Sequence, residues 1–170
     1  MTRVAAIDCG TNSIRLLVAD GHIGEDGRPH LSDLTRQMRI VRLGQGVDAR
    51  GYLDPAAIER TVEAAVEYQR MIEALGATST RFVATSATRD ASNSADFVRQ
   101  IKAVIGVEPE VVVGTEEASL SFNGAVSGLG ESVTAPMLVV DIGGGSTELV
   151  AGSTRVEQAI SIDMGAVRVT

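Results

Sequence analysis

The chain has 170 residues, with 44% hydrophobic side chains, only 3% aromatic ones and no tryptophan. A core of valine, isoleucine, leucine and alanine is typical of α/β proteins. The net charge of −7 argues against nucleic-acid binding, which requires a basic surface, but it allows an anionic substrate in a local cleft. With one cysteine, no signal peptide and no apolar run of about 20 residues, the sequence predicts a cytoplasmic protein without a membrane partner.

The first half of the chain begins with two short apolar segments on either side of a polar turn. Strands are predicted at 4–7 and 14–18, with the turn at 11–13 between them, and a third strand at 31–43. A helix is predicted to start at Asp54 and Pro55, because aspartate caps free amides and proline is favoured in the first helical turn. Apolar residues then recur at helical spacing as far as Gly76, a typical C-cap.

The second half of the chain alternates strands and helices and then continues in strands alone. The sequence predicts a strand at 82–85, a polar loop at 85–93, a helix at 95–105, a strand at 110–113 and a helix at 116–126 with Thr115 as its N-cap. Further strands are predicted at 137–141, 147–151 and 158–162. We expect a first domain at 1–126, a linker at 127–136 and the beginning of a second domain at 137–170. Since no helix follows to cover the second sheet, we expect that domain to be incomplete.

Two segments, AIDCGTNSIRLLV and VVDIGGGSTELV, repeat one pattern. They align without a gap at an offset of 133 residues, which matches Asp8 with Asp141 and Ser13 with Ser146. In each segment an acidic residue ends a strand, and a turn of small residues leads to a returning strand. Turn amides can bind phosphate oxygens, and strand-end carboxylates can hold a divalent cation that bridges phosphates. The repeat therefore predicts a cleft that binds a polyanion from both sides. It is not a Walker A loop, since no Gly-Lys-Ser/Thr sequence follows.

Five motifs in a fixed order resemble those of a known family: IDCGTNSIRLLV, RLGQGVD, VATSATRDASN, GTEEASLSFNG and VVDIGGGSTELV. The chain resembles the exopolyphosphatase and guanosine pentaphosphate phosphohydrolase (Ppx/GppA) family, within the actin, hexokinase and Hsp70-type ATPase superfamily. This resemblance implies an α/β fold, a ribonuclease H-like mixed sheet flanked by helices, plus the first strands of a second similar domain. It also implies hydrolysis of terminal phosphoanhydride bonds, in inorganic polyphosphate or in guanosine pentaphosphate, with Mg²⁺.

The resemblance also implies roles for individual residues. Glu117, the second glutamate of the Glu-Glu-Ala motif, is expected to be the general base that activates water, although the residues alone do not distinguish it from Glu116. The positive end of the helix dipole is expected to favour its ionised form. Asp8, Asp141 and Glu148 are expected to hold the metal. The expected phosphate-binding residues are Thr11, Asn12, Ser13, Arg89, Gly143, Gly144, Gly145 and Ser146.

Several alternatives stay open at this level. The substrate is inorganic polyphosphate or guanosine pentaphosphate, while an ATP-dependent kinase or ATPase of the same superfamily and a non-catalytic sensor of a phosphorylated ligand are further interpretations. From the residues alone, Arg89 is equally well explained as a surface arginine paired with Asp90. Arg36, Arg39 and Arg42 form either a basic strip that guides a polyanion or ordinary solvated charges. Homodimerisation is left open.

Overall fold

The computed structural model describes residues 1–25, 27, 29–127, 129 and 134–168. The strands are, in chain order, β1 (Thr2–Cys9), β2 (Ser13–Ile23), β3 (Pro29–Ile40), β4 (Ser79–Ala84), β5 (Glu110–Val111), β6 (Met137–Ile142), β7 (Thr147–Gly152) and β8 (Val156–Ile162). The helices are α1 (Val47–Arg50), α2 (Pro55–Leu75), α3 (Ser86–Arg89), α4 (Ser94–Ile105) and α5 (Gly114–Ser127). No helix in this described part of the chain is both long and apolar enough to cross a membrane.

The larger sheet is mixed and has the strand order β3-β2-β1-β4-β5. Strand β1 pairs antiparallel with β2 and parallel with β4. Its side chains alternate, so Ala5, Ile7 and Cys9 are buried, while Ala6 and Asp8 lie on the other face. The buried face packs against α2 and α4 in the main hydrophobic cluster. The mixed sheet flanked by helices confirms the expected fold class.

Helix α2 forms where its terminal residues predict it. The Asp54 side chain accepts a hydrogen bond from the backbone amide of Ala56, and Pro55 occupies the first turn. Gly76 ends the helix with a φ of 71°, a conformation that favours glycine. In the middle of the helix, the fully buried Tyr68 donates its hydroxyl to the backbone carbonyl of Ile14 at 3.0 Å. This contact fixes the helix against β2.

Several predicted boundaries are wrong. Residues 86–89 form the short helix α3, although their polar composition predicts a loop. The third strand ends at Ile40, and β5 contains only Glu110 and Val111. Helix α5 begins at Gly114, which places Thr115 inside the first turn and not at the N-cap. The predicted linker begins within α5, and positions 128 and 130–133 of it lie outside the described residues.

The smaller sheet has the strand order β6-β7-β8 and is covered on one face by α5. Ala118 and Phe122 of the helix and Val150 of β7 are fully buried in a second hydrophobic cluster. The sheet therefore has a helical layer, contrary to our expectation, and the helix comes from the segment predicted to belong to the first domain. On the opposite face, Leu138 and Val140 are exposed. The domain bounds themselves stay a prediction.

Candidate active site between the two sheets

A cavity of about 200 Å³ lies where the β1–β2 hairpin faces the β6–β7 hairpin. Its walls come from both hairpins and from the start of α5. The structure brings together every predicted site residue except Arg89. Those that line the cavity are Asp8, Thr11, Asn12, Ser13, Glu117, Asp141, Gly143, Gly144, Gly145, Ser146 and Glu148.

The two hairpins share one backbone geometry, as their sequence repeat predicts. The amide of Gly10 donates to the carbonyl of Ser13 at 3.0 Å, and the amide of Gly143 donates to the carbonyl of Ser146 at 2.9 Å. The strand pairs are equivalent too. Asp8 lies opposite Arg15 in the first hairpin, and Asp141 lies opposite Glu148 in the second. The duplicated hairpins therefore differ in charge at this position, basic in one and acidic in the other.

The glycine loop of the second hairpin lies so close to the first that side chains would not fit. A Cβ atom on Gly145 would lie 2.6 Å from the Ser86 hydroxyl and 2.7 Å from the Thr11 hydroxyl. These two hydroxyls are themselves hydrogen-bonded to each other at 2.9 Å. A Cβ atom on Gly144 would lie 3.1 Å from that of Thr11. Glycine is thus required here because the loop lies directly against the side chains of Thr11, Asn12 and Ser86.

The carboxylates facing the cavity are close together, and two of them, Glu117 and Glu148, are largely buried. Burial raises the pKa of Asp8; Arg15 opposes this, and the negative charge of Asp141 adds to it. Burial and, to a smaller extent, the negative charge of nearby Glu148 raise the pKa of Glu117 to about 7. The expected stabilisation of ionised Glu117 by the helix dipole is therefore outweighed by its burial. A pKa near neutrality is nevertheless suited to a general base.

Two serines hold the acidic pair of the second hairpin. The Ser121 hydroxyl donates to Asp141 Oδ2 at 2.7 Å, and the Ser161 hydroxyl donates to Glu148 Oε1 at 2.8 Å. Glu148 has only 1% of its surface exposed, so this hydrogen bond largely fixes its orientation. Neither serine is among the site residues predicted from the sequence. Ser121 lies four residues after Glu117, a spacing that puts both on one helix face and could have revealed it.

Arg89 lies behind Glu117 and does not line the cavity. Its Nη1 atom donates to the backbone carbonyl of Val112 at 3.1 Å and is 3.6 Å from Glu117 Oε2. Its Nε atom is 3.5 Å from Asp90 Oδ1, which is the pair that the residues alone suggested. A role in phosphate binding stays a prediction, and the present contacts show an arginine that supports Glu117 from one side.

The other arginines singled out in the sequence mostly form surface ion pairs. Arg36 pairs with Asp33, and Arg39 pairs with Glu67, each at 3.0 Å with both partners substantially exposed. Such exposed pairs contribute little to stability.

The acidic lining is chemically suited to a hard cation. Among the described residues, no three His, Cys, Asp or Glu side chains form a group arranged to hold a metal ion by themselves. Mg²⁺, however, is commonly bound through one or two carboxylates together with water and substrate phosphates. Asp8, Asp141 and Glu148 supply carboxylate oxygens on both sides of the cavity. These residues therefore fit a cation that is held by few carboxylates and completes its coordination with other oxygen ligands.

The fold and the cleft place the chain among α/β proteins with a mixed sheet, in which two similar hairpins face one cavity. Residues 22–170 match the model of the Ppx/GppA phosphatase family. The chain belongs to this family, which confirms the resemblance found in its motifs.

Individual relatives agree with this assignment. The chain is 51% identical over 175 residues to Exopolyphosphatase 2 of Mycobacterium tuberculosis, and the match covers 100% of this chain and 54% of that protein. The crystal structure of an exopolyphosphatase-like protein matches with a TM-score of 0.91 and 46% identity, covering 98% of this chain and 52% of the other. The Aquifex aeolicus member of the Ppx/GppA family matches with a TM-score of 0.81 and 34% identity, covering 99% and 53%. The chain thus spans about half the length of these relatives.

Proposed function

We propose that the protein hydrolyses terminal phosphoanhydride bonds of inorganic polyphosphate and releases orthophosphate. The observation that carries this proposal is the position of Glu117, which lines the same cavity as the β1–β2 and β6–β7 hairpins. The 51% identity to a protein named Exopolyphosphatase 2 supports polyphosphate as the substrate. We infer a cytoplasmic location, which the free, buried Cys9 supports.

In this reaction Glu117 acts as the general base. It accepts a proton from a water molecule whose oxygen attacks the terminal phosphorus, and the bond from that phosphorus to the bridging oxygen breaks. The products are orthophosphate and a chain shortened by one phosphate. The raised pKa of Glu117, about 7, leaves a substantial fraction ionised at neutral pH while making it a stronger base than an exposed glutamate. Backbone amides of the glycine loop orient the phosphoryl oxygens.

We infer that Mg²⁺ is the cation of this site. Asp8, Asp141 and Glu148 would hold it. When bound, it would neutralise charge on the phosphoryl oxygens, which a cavity lined by four carboxylates otherwise repels. The hydroxyls of Ser121 and Ser161 keep two of these carboxylates oriented towards the cavity.

Guanosine pentaphosphate is the second candidate substrate, and a wider groove favours it. This groove of about 780 Å³ adjoins the cavity, with which it shares Asp8 and Glu117. Leu17, Met38 and Leu120 give it apolar walls. Such walls suit a nucleoside better than they suit a uniform polyanion.

The test is phosphate release from long-chain polyphosphate and from guanosine pentaphosphate, with and without Mg²⁺, by the gene product that contains this chain. Glu117→Gln should lower kcat by about 10²–10⁴-fold and leave polyphosphate binding intact. Glu116→Gln is the matched control, because Glu116 lies outside the cavity and pairs with Arg81. Full activity of the Glu117→Gln variant contradicts the proposal. Binding of polyphosphate by the wild type without release from either substrate would instead indicate a sensor.

A further inference from the structure

The segment that follows β8 lies directly on the glycine loop. The amide of Ala166 donates to the carbonyl of Gly143 at 3.0 Å, and the amide of Val167 donates to the carbonyl of Gly144 at 2.8 Å. Gly165 approaches so closely that a Cβ atom there would lie 2.5 Å from the backbone of Gly144. Residues 164–168, which we call the backing segment, therefore pack against the loop, and Ala166 and Val167 of this segment also line the cavity.

The backing segment ends in an arginine that reaches three acidic residues. Arg168 Nη2 is 2.8 Å from Asp90 Oδ2, its Nε is 2.8 Å from Asp48 Oδ1, and its Nη1 is 3.3 Å from Asp163 Oδ1. The contact with Asp90 is a hydrogen bond, while the Nε contact with Asp48 is a close ion pair without hydrogen-bond alignment. The side chains of Arg168 and Asp90 are 18% and 34% exposed, so solvent screens this pair less than it screens ordinary surface pairs, whereas Asp48 and Asp163 are more exposed.

Two of these acids belong to the other side of the cleft. Asp48 lies in α1, and Asp90 directly follows α3. Both helices are attached to the first hairpin. The amide of Gly44, just before α1, donates to the carbonyl of Thr11 at 2.8 Å, and Ser86 of α3 is hydrogen-bonded to the Thr11 hydroxyl. Arg168 thus connects the segment that packs on the glycine loop to helices α1 and α3, which contact the turn of the first hairpin.

We propose that Arg168 is a positioning residue that sets the separation between the turn at 10–13 and the glycine loop at 143–146, which we call the two phosphate loops. It does not line the central cavity, and it acts through Gly143 and Gly144 on one side and through Thr11 on the other. A guanidinium is suited to this role because its planar fork reaches several carboxylates at once, whereas a lysine ammonium is a single point charge. The catalytic consequence rests on the proposed function, but the structural claim does not.

Hydrogen–deuterium exchange of the substrate-free protein tests the structural claim. Arg168→Gln should make the amides of 10–13 and of 143–146 exchange about tenfold faster and leave β1 and β4 unchanged. The double variant Asp48→Asn/Asp90→Asn removes two acidic partners of Arg168 and should speed exchange in the same two loops. Combined with Arg168→Gln, it should give no further increase. Arg155→Gln, an exposed arginine near the β7–β8 turn, is the matched control and should change neither loop.

The kinetic test compares Arg168→Gln and Arg168→Lys with the wild type in polyphosphate hydrolysis. If the two loops lose their fixed separation, kcat/KM should fall by about 10–100-fold in Arg168→Gln and by less in Arg168→Lys. The pH dependence of kcat/KM should not change. Unaltered exchange in both loops overturns the proposal, and so does faster exchange throughout the protein, which would show a general stabilising role. If no variant, including the wild type, releases phosphate, the proposed function fails while the exchange pattern still decides the role of Arg168.

Discussion

Replacement of Glu117 by glutamine should stabilise the protein at neutral and alkaline pH. Glutamine keeps the shape of the side chain but removes a charge that is only 19% exposed and lies near Glu148 and Asp8. Arg89, the nearby cation, would keep its contacts with the Val112 carbonyl and with Asp90, so it would not be left as an unpaired charge. The substitution therefore removes a largely buried charge that is repelled by its acidic neighbours.

The pKa of Glu117 gives the sign and the size of the expected change in the free energy of unfolding. The folded-state pKa of about 7 lies above the ordinary value of 4.5, so the folded protein binds this proton more tightly than the unfolded chain does. The cost of ionised Glu117 is consequently absent below about pH 4.5, grows as the pH rises towards 7 and is constant above it. At about 1.4 kcal/mol for each tenfold change in proton affinity, the cost reaches about 3 kcal/mol.

Thermal unfolding at several pH values in the presence of a chelator measures this effect. For a chain of this length, about 3 kcal/mol corresponds to an increase in Tm of about 6–12 °C for Glu117→Gln at pH 8 and almost none at pH 4.5. Glu116→Gln is the control. Its side chain is 47% exposed and forms a surface pair with Arg81, so its effect should stay within about 1 kcal/mol at either pH. An equal gain in Tm at both pH values, or no gain at pH 8, would refute the reasoning.

Three further predictions concern activity. The kcat/KM for polyphosphate should rise with pH up to about 7, since Glu117 must lose its proton to act as a base, and a pH-independent profile would contradict this role. Gly145→Ala should lower kcat/KM by about 10–100-fold, because its methyl group would collide with the Thr11 and Ser86 hydroxyls. Gly124→Ala in α5 meets open space and should leave hydrolysis unchanged, so an equal loss in both variants would argue against the close-approach explanation. Ser121→Ala should raise the Mg²⁺ concentration for half-maximal activity about tenfold, whereas Ser119→Ala, whose hydroxyl donates to its own helix, should not.

Local rules predicted the parts of the fold that depend on neighbouring residues. Asp54, Pro55 and Gly76 defined helix α2 at both ends, because capping and backbone conformation act over one turn. The repeat likewise predicted that the two hairpins would be alike, and Asp8 and Asp141 do end equivalent strands that line the same cavity. The two hairpins of the candidate site could therefore be named from the sequence repeat, whereas Glu117 was named only through the family resemblance. Other lining residues, such as Ser86 and Ala166, were not predicted.

Features that depend on contacts between distant segments were not predicted. The packing of α5 on the second sheet is decided by Phe122 and Val150, which lie 28 positions apart. The short helix α3 is polar in sequence, yet Ser86 and Thr88 are buried in the folded chain, so its composition suggested a loop. Arg168 carries no local signal for its role either, because its partners at positions 48 and 90 are brought to it by the fold.

Helix α5 connects Glu117, the proposed base, to the second sheet. Its first turn carries Glu117, while Phe122 further along is embedded against the second sheet. Gly114, its first residue, is so close to β8 that a Cβ atom there would lie 2.9 Å from the Ser161 side chain. The same turn also contacts the first sheet and its loops, through the pairs of Glu116 with Arg81 and of Glu117 with Arg89, so a motion that separated the two sheets would disturb the position of Glu117. Under the proposed function, closure of the cleft and alignment of Glu117 with the two hairpins would therefore be coupled.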